Sequence, residues 1–324
     1  MGYEKCLAGF RGLRLDVLRP KNWLQGFDAA KAEHQARVTR WREVEACPVC
    51  GAAERRQEFA KFGVDIVCCL ACTLRYSARV AADPAEVYGT PDYSAMAKGL
   101  DSSRYDYYKK RFGRERIEIL RAELGDPAGR SVLDVGCGAG WFLEVARDAG
   151  MLAFGQDVSA VHQNRVEHIA GLTIYHCPVA EIEAERRFDA VTLFDVVEHV
   201  ADPVGLVREC SRLLAPDGII LVFTPNFDSL AVHATREASS NIVPLEHVAL
   251  FTERSAAALA ERAGLALTGL RTAGIDMGDL KSYFELRGEP DMAAACERLY
   301  DLVQPAIDAA GAGNHLRFVL RRPR

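Results

Sequence analysis

Apolar residues recur along the second half of this chain in short runs, set apart by stretches with helical spacing. Residues 131–135, 152–156, 172–175, 190–194, 219–223, 265–271 and 316–321 read as buried strands, with helices fitting between most of them. That alternation predicts an α/β fold with a doubly wound sheet. Residues 275–313 interrupt it as a largely helical insertion between the last two strands. Earlier in the chain, Asp28 is placed to cap a helix over 29–45, with Val38, Trp41 and Val44 along one side. A further helix fits 109–124. The expected organisation is a helical extension (1–46), a cysteine-rich module (47–80), a helical linker or lid (81–128) and the sheet domain (129–324).

The first strand of the series runs into Asp134-Val135-Gly136-Cys137-Gly138-Ala139-Gly140-Trp141, and a helix follows. Gly136 and Gly138 let the backbone turn where a Cβ would clash. Such a strand-turn-helix presents bare backbone to a nucleotide-like ligand. A dinucleotide site would have a third glycine where Trp141 stands, so a smaller adenosine ligand is expected. The second strand ends at Asp157, 21 residues after Gly136, where an acid can accept from both ribose hydroxyls. Ser159 is placed to cap the helix beyond it.

Cys47-Pro48-Val49-Cys50 and Cys69-Leu70-Ala71-Cys72 form two C-x2-C pairs separated by eighteen residues. This spacing predicts a zinc ribbon with four thiolate ligands, Cys47, Cys50, Cys69 and Cys72, around a structural zinc. Cys68 competes with Cys69, and the repeated spacing favours Cys69. The 59–67 stretch between the pairs can supply a hairpin. Tyr88, Tyr93, Tyr105, Tyr107 and Tyr108 either line a ligand site or pack the module onto the sheet domain, and packing is the expectation for most of them.

Composition narrows the picture. Of 324 residues, 49% are hydrophobic and 26% charged, with a formal net charge of -5, so a general polyanion binder is not expected. Basic patches such as Lys109-Lys110-Arg111 and Arg321-Arg322 fit solvated surfaces equally well. No apolar run is long enough to span a bilayer. The start of the sequence lacks a secretion signal's apolar core, and ten cysteines then point to a reducing, cytoplasmic setting. Oligomeric state is left open.

The pattern Asp-x-Gly-x-Gly-x-Gly after an apolar strand resembles motif I of the class I S-adenosylmethionine-dependent methyltransferases. A second match begins at Phe188-Asp189-Ala190-Val191 and continues to Asp195-Val196-Val197-Glu198-His199-Val200-Ala201-Asp202-Pro203. It resembles the F-D-x-V…E-H-V-x-D-P segment of the branch that includes the ubiquinone-pathway O-methyltransferases. Thr224-Pro225-Asn226 and Pro244-Leu245-Glu246-His247-Val248-Ala249-Leu250-Phe251 are similar to later segments of that branch. The resemblance covers about residues 130–275. It implies a Rossmann-like seven-stranded sheet in the order 3-2-1-4-5-7-6 and S-adenosylmethionine as cofactor. By resemblance, Asp134, Gly136 and Gly138 hold the amino-acid part of the cofactor and Asp157 its ribose. Phe194 joins the cofactor site, and backbone around Val179 and Ala180 is assigned the adenine, because the acid found there in many relatives is missing.

Methyl transfer to a hydroxyl needs a base or a metal. His199 and His247 are the candidate bases, the alternative being structural histidines bonded to backbone. If the chain turns helical after the fourth strand, Asp195, Glu198 and His199 project from one face, and His247 completes a second divalent-ion site of the kind some relatives carry. The acceptor class expected is a hydroxyl on a sugar, glycan precursor or secondary metabolite. Competing readings are an RNA-base methyltransferase, disfavoured by the charge and by Phe194-Asp195-Val196-Val197 in place of its base-gripping motif, and a non-enzymatic cofactor-binding module.

Overall fold

The computed structural model describes residues 14–19, 21, 23–88, 102–159, 172–183 and 185–323. Tyr93 and the helix expected beyond Ser159 lie outside the described residues, as do the side chains of Tyr105 and Tyr108.

The described residues begin with α1 (Leu15–Leu18) and α2 (Trp23–Ala36), followed by β1 (Trp41–Glu43), β2 (Arg55–Lys61), β3 (Val64–Cys69), β4 (Arg75–Ser77), β5 (Arg79–Ala81) and α3 (Ala85–Tyr88). The helix expected over 29–45 is therefore displaced. It ends at Ala36, Asp28 lies inside it and bonds Lys61, and 41–43 form a strand paired with 79–81. Helical spacing of Val38 and Trp41 was real but not decisive. Both pack with Val87 and Leu245 from an extended chain, and β-branched Val38 and Thr39 weaken the helix there.

The long helix α4 (Ser102–Leu124) leads to the main sheet, built from β6 (Ser131–Val135), β7 (Leu152–Gln156), β8 (Thr173–Tyr175), β9 (Phe188–Phe194) and β10 (Leu214–Pro225), with α5 (Trp141–Asp148) and α6 (Pro203–Arg212) between them. After α7 (Leu230–Thr235), the short β11 (Ala249–Leu250) and α8 (Glu253–Ala263), the sheet is completed by β12 (Ala266–Ala273) and β13 (His315–Arg321), which flank α9 (Asp276–Leu286) and α10 (Pro290–Ala309). Strand order is β12-β13-β10-β9-β6-β7-β8. Counted from β6 as the first strand and read from the β8 edge, this is 3-2-1-4-5-7-6. β6 to β10 pair in parallel and β13 runs antiparallel to both its neighbours.

Both faces of the sheet are covered. Ile117 and Leu120 of α4 and Phe142 and Ala146 of α5 pack on Val132, Ile219 and Val319. On the other face Val207 and Leu259 meet Leu193, Val222 and Phe318 in a cluster that also takes in Val49, Leu74 and Tyr76. Fully burying side chains such as Phe142 and Phe318 is worth roughly 1.5–3 kcal/mol each. The cysteine-rich module thus shares the core of the main domain. Its hairpin β2–β3 turns at Phe62-Gly63, both left-handed, and β11 adds to β4 to give the order β11-β4-β3-β2. No helix among the described residues is long and apolar enough to cross a membrane.

Candidate active site

The order of connections reverses between β6 and β9, and a crevice opens there at the carboxyl ends of the strands. It contains a cavity of about 350 Å³ lined by Asp134 and Gly136 from the end of β6, Phe194 and Asp195 from the end of β9, and Phe223 and Pro225 from β10. Trp141, Glu198, Asn241 and His247 contribute further wall.

The glycine turn explains the cofactor side of this crevice. Gly136 and Gly138 have φ of +67° and +52°. A Cβ at Gly136 would stand 2.6 Å from Val196, whereas one at Gly138 would point into open space, leaving bare backbone for a ligand. Asp157 is buried and holds this turn, accepting from the Gly138 N–H through Oδ2 and from the Ser159 N–H through Oδ1, each at 2.8 Å. Asp134 is buried beneath it. Its Oδ1 accepts from the Thr192 hydroxyl at 2.7 Å, and burial pushes its pKa up to about 7. Gly138, Asp157 and Val179 border the crevice without lining the cavity itself. Val179 lies in a single turn, Val179–Glu181, and its carbonyl accepts from Arg212 at 3.1 Å.

Arg116 of α4 is a cavity residue that the sequence reading passed over. Its guanidinium stacks 3.9 Å above the Phe194 ring and 4.2 Å above Trp141, with Asp195 Oδ2 3.9 Å away. Burial lowers its pKa to about 10. The signal was available: Arg116 falls on the inward face of α4 beside Ile117 and Leu120, where a charge needs a reason. Arg116 Nε, Asn241 Nδ2 and Glu198 Oε1 are buried polar atoms of cavity residues without a hydrogen-bond partner among the described residues. Buried polar groups are nearly always paired, so these atoms fit a site that awaits a polar ligand.

Beside the cavity stand Glu198, His199 and His247, each offering a ligand atom within 4.8 Å of the others. Asp195 does not join them, contrary to the helical alignment expected. Its backbone is left-handed, φ +58°, and only the one turn Val197–His199 follows, so the i, i+3, i+4 geometry never forms. Asp195 instead faces His315 Nε2 at 3.5 Å and Arg116. Glu198 is fully buried, and burial together with Asp195 raises its pKa well above the usual carboxylate range. The His247 Nδ1–H donates to the Asn241 carbonyl at 2.8 Å, which leaves Nε2 as the acceptor nitrogen of the neutral ring. Burial lowers the pKa of His247, and burial followed by His247 brings that of His199 down to about 3. Both imidazoles are neutral near pH 7, and His199, held at about 3, is the weaker proton acceptor of the two. The Tyr88 hydroxyl lies 3.4 Å from His199 Nδ1, which places this tyrosine at the site and not merely in module packing.

In the cysteine module the Sγ atoms of Cys47, Cys50, Cys69 and Cys72 all lie within 4.8 Å of one another. Cys47 is 3.5 Å from Cys72 and Cys50 is 3.4 Å from Cys69. The edge of a zinc–thiolate tetrahedron is about 3.8 Å, so this cluster could hold a zinc ion. Each C-x2-C pair closes a tight turn, Gly51 N–H to Cys47 carbonyl and Thr73 N–H to Cys69 carbonyl, and Gly51 and Thr73 share a positive φ. Cys68 lies outside the cluster, its thiol directed to the Cys69 carbonyl.

Residues 107–270 match a family model described as a methyltransferase domain. A ubiquinone biosynthesis O-methyltransferase of Bordetella avium is 31% identical over 189 residues, covering 53% of this chain and 76% of the relative. One of Haemophilus ducreyi is 32% identical over 124 residues, covering 34% of this chain and 52% of the relative. The chain thus spans about half the length of the Haemophilus protein. Among solved structures, a chain of the complex between the Haloferax volcanii Trm112 methyltransferase activator and a methyltransferase aligns with a TM-score of 0.52 at 18% identity, over 72% of this chain and 98% of that one. That last likeness is one of fold.

Proposed function

The chain belongs to the class I S-adenosylmethionine-dependent methyltransferases, and from that premise we propose that it methylates a hydroxyl oxygen of a small molecule, with His247 or His199 taking the proton. The observation that carries this reading is the pair of neutral histidines, ring centroids 4.8 Å apart, at the edge of the switch-point cavity. The likeness to ubiquinone biosynthesis O-methyltransferases supports oxygen as the methylated atom. It supports a small molecule of quinone assembly over the sugar, glycan precursor or secondary metabolite expected from sequence.

When bound, the cofactor supplies a methyl group on a positively charged sulfur, ready for in-line displacement. The chain's part is to orient and to remove a proton. The bare backbone at Gly136 and Gly138 and the Asp134 carboxylate would receive the amino-acid end, and Arg116 Nε would be the donor for its carboxylate. Asp157 keeps acceptor capacity for ribose hydroxyls. The acceptor hydroxyl meets His247 Nε2, whose tautomer is set by Asn241. Cys47, Cys50, Cys69 and Cys72 would hold zinc in a structural role, since four thiolates leave no open position.

A second reading follows from Glu198 Oε1, buried and without a hydrogen-bond partner beside two imidazoles. Glu198, His199 and His247 would hold a divalent ion, which would acidify a bound hydroxyl. The test of both readings is S-adenosylhomocysteine release with a panel of catechols, monophenols, saccharides and amines, with and without chelator. Turnover of catechols that His247→Gln abolishes is the expected result. Turnover only with amine acceptors would overturn the oxygen reading, and full activity in chelator would remove the metal.

A further inference from the structure

Elements outside the family-matched segment reach the histidine pair, α2 through one carboxylate and α3 through the Tyr88 hydroxyl. Lys31 of α2 is buried, 3% exposed, and donates to Glu246 Oε1 at 2.5 Å. His34, one turn further along α2, brings Nδ1 to 3.6 Å from the same oxygen. Glu246 is the residue immediately before His247, and it is itself buried. The Tyr88 hydroxyl, at the end of α3, donates toward the carbonyls of His199 at 3.2 Å and of Glu246 at 3.4 Å. Lys31, His34 and Tyr88 all lie before the first residue of the methyltransferase-domain match, 107.

A buried ammonium–carboxylate pair is poor evidence of added stability, because two apolar side chains would fill the space at least as favourably. What the pair supplies is direction. A charge-assisted bond holds Glu246 in one place, and His247 is carried on the next residue. Two residues further on, Ala249 and Leu250 are tied to β4, so the strip bearing His247 is pinned on both sides. We propose that Lys31 is a positioning residue that, through Glu246, holds His247 with Nδ1–H on the Asn241 carbonyl and Nε2 toward Glu198 and His199. Helix α2 then completes the active site instead of merely covering it. This rests on the reading of His247 as the residue that takes the acceptor proton.

The test uses the full-length, ¹⁵N-labelled protein saturated with S-adenosylhomocysteine. The hydrogen-bonded His247 Nδ1–H should give a sharp, slowly exchanging line, assigned by its loss in His247→Gln. Removing one charge alone would strand the other, so the informative variant is Lys31→Met with Glu246→Gln. It should retain S-adenosylhomocysteine affinity within about twofold, and yet lose the His247 line to exchange broadening and at least tenfold in kcat. Lys31→Arg should keep both. A double variant whose His247 line stays as sharp as in the unmodified protein would overturn the proposal. His247→Gln with unchanged kcat would instead overturn the reading of His247, whatever the line does.

Discussion

Thr224, at the end of β10, donates its hydroxyl to Glu198 Oε2 at 2.9 Å and leaves Oε1 directed at the gap between His199 and His247. Both residues are fully buried. The bond fixes which oxygen of the carboxylate is available, as an outer partner does for a metal ligand. If Glu198, His199 and His247 hold a divalent ion, Thr224→Val should weaken manganese binding by about 10–100-fold while barely changing packing, because the two side chains have the same shape. Electron paramagnetic resonance of free manganese, with S-adenosylhomocysteine present, measures this. Unsaturable binding to the unmodified protein, or equal affinity in the variant, would eliminate the ion.

Asp157 braces the glycine turn from the second strand and sits where ribose hydroxyls are expected. Asp157→Ala should cost about 1–3 kcal/mol of S-adenosylmethionine binding, because bonds to a charged acceptor disappear. Asp157→Asn keeps one acceptor oxygen and should fall between the two. Calorimetric titration separates these outcomes, and unchanged affinity in the alanine variant would remove Asp157 from the cofactor site.

Strand identity and sheet order were legible because each strand is a short apolar run bounded by turn residues, and parallel strands connected by helices have few arrangements. The long β10 was underestimated, since Pro216, Asp217 and Gly218 look like a turn and are instead an irregularity within the strand. Glu198, His199 and His247 were legible as a group from their motif, although 47 residues lie between the two histidines. Asp195 was misplaced because a left-handed residue breaks the helical period, and nothing in its side chain announces that φ. Lys31 was not legible as a site residue, because its role depends on how separate elements dock; Arg116 left only the signal of a charge on the apolar face of α4, and Tyr88 only that of one tyrosine among five.

The two C-x2-C turns bring four thiols together from segments joined by a hairpin, in a module too small to supply much core of its own. One zinc per chain is the expected content by elemental analysis. Cys68→Ser should retain it, since that thiol lies outside the cluster. Cys47→Ser with Cys72→Ser should lose it and destabilise β11 as well, because β11 pairs with the sheet of this module. Retention of zinc by the double variant would sink the ligand assignment.

The insertion α9–α10 is tied to the sheet by buried carboxylates, and their titration gives a prediction with a definite sign. Asp308 accepts from the Gly274 N–H at 3.0 Å and from Gln304 Nε2 at 2.9 Å, and Asp276 accepts from Gln304, Ala231 and Asn314. Burial raises the pKa of Asp308 to about 7 and that of Asp276 to about 6. In the unfolded chain such groups lose their proton near pH 4. A folded pKa above the unfolded one means that the contribution to stability is full below about pH 4 and is lost as pH rises toward 7. Asp308→Asn keeps the accepting oxygen and has no proton to lose. Its melting temperature relative to the unmodified protein should therefore rise between pH 5 and pH 8, by a few degrees. Taking the difference between the two proteins cancels groups they share, including the histidines, whose lowered pKa values act in the opposite direction. Differential scanning calorimetry at the two pH values measures it. A difference that stays constant, or that shrinks as pH rises, would mean that Asp308 is already ionised at pH 5 in the folded protein.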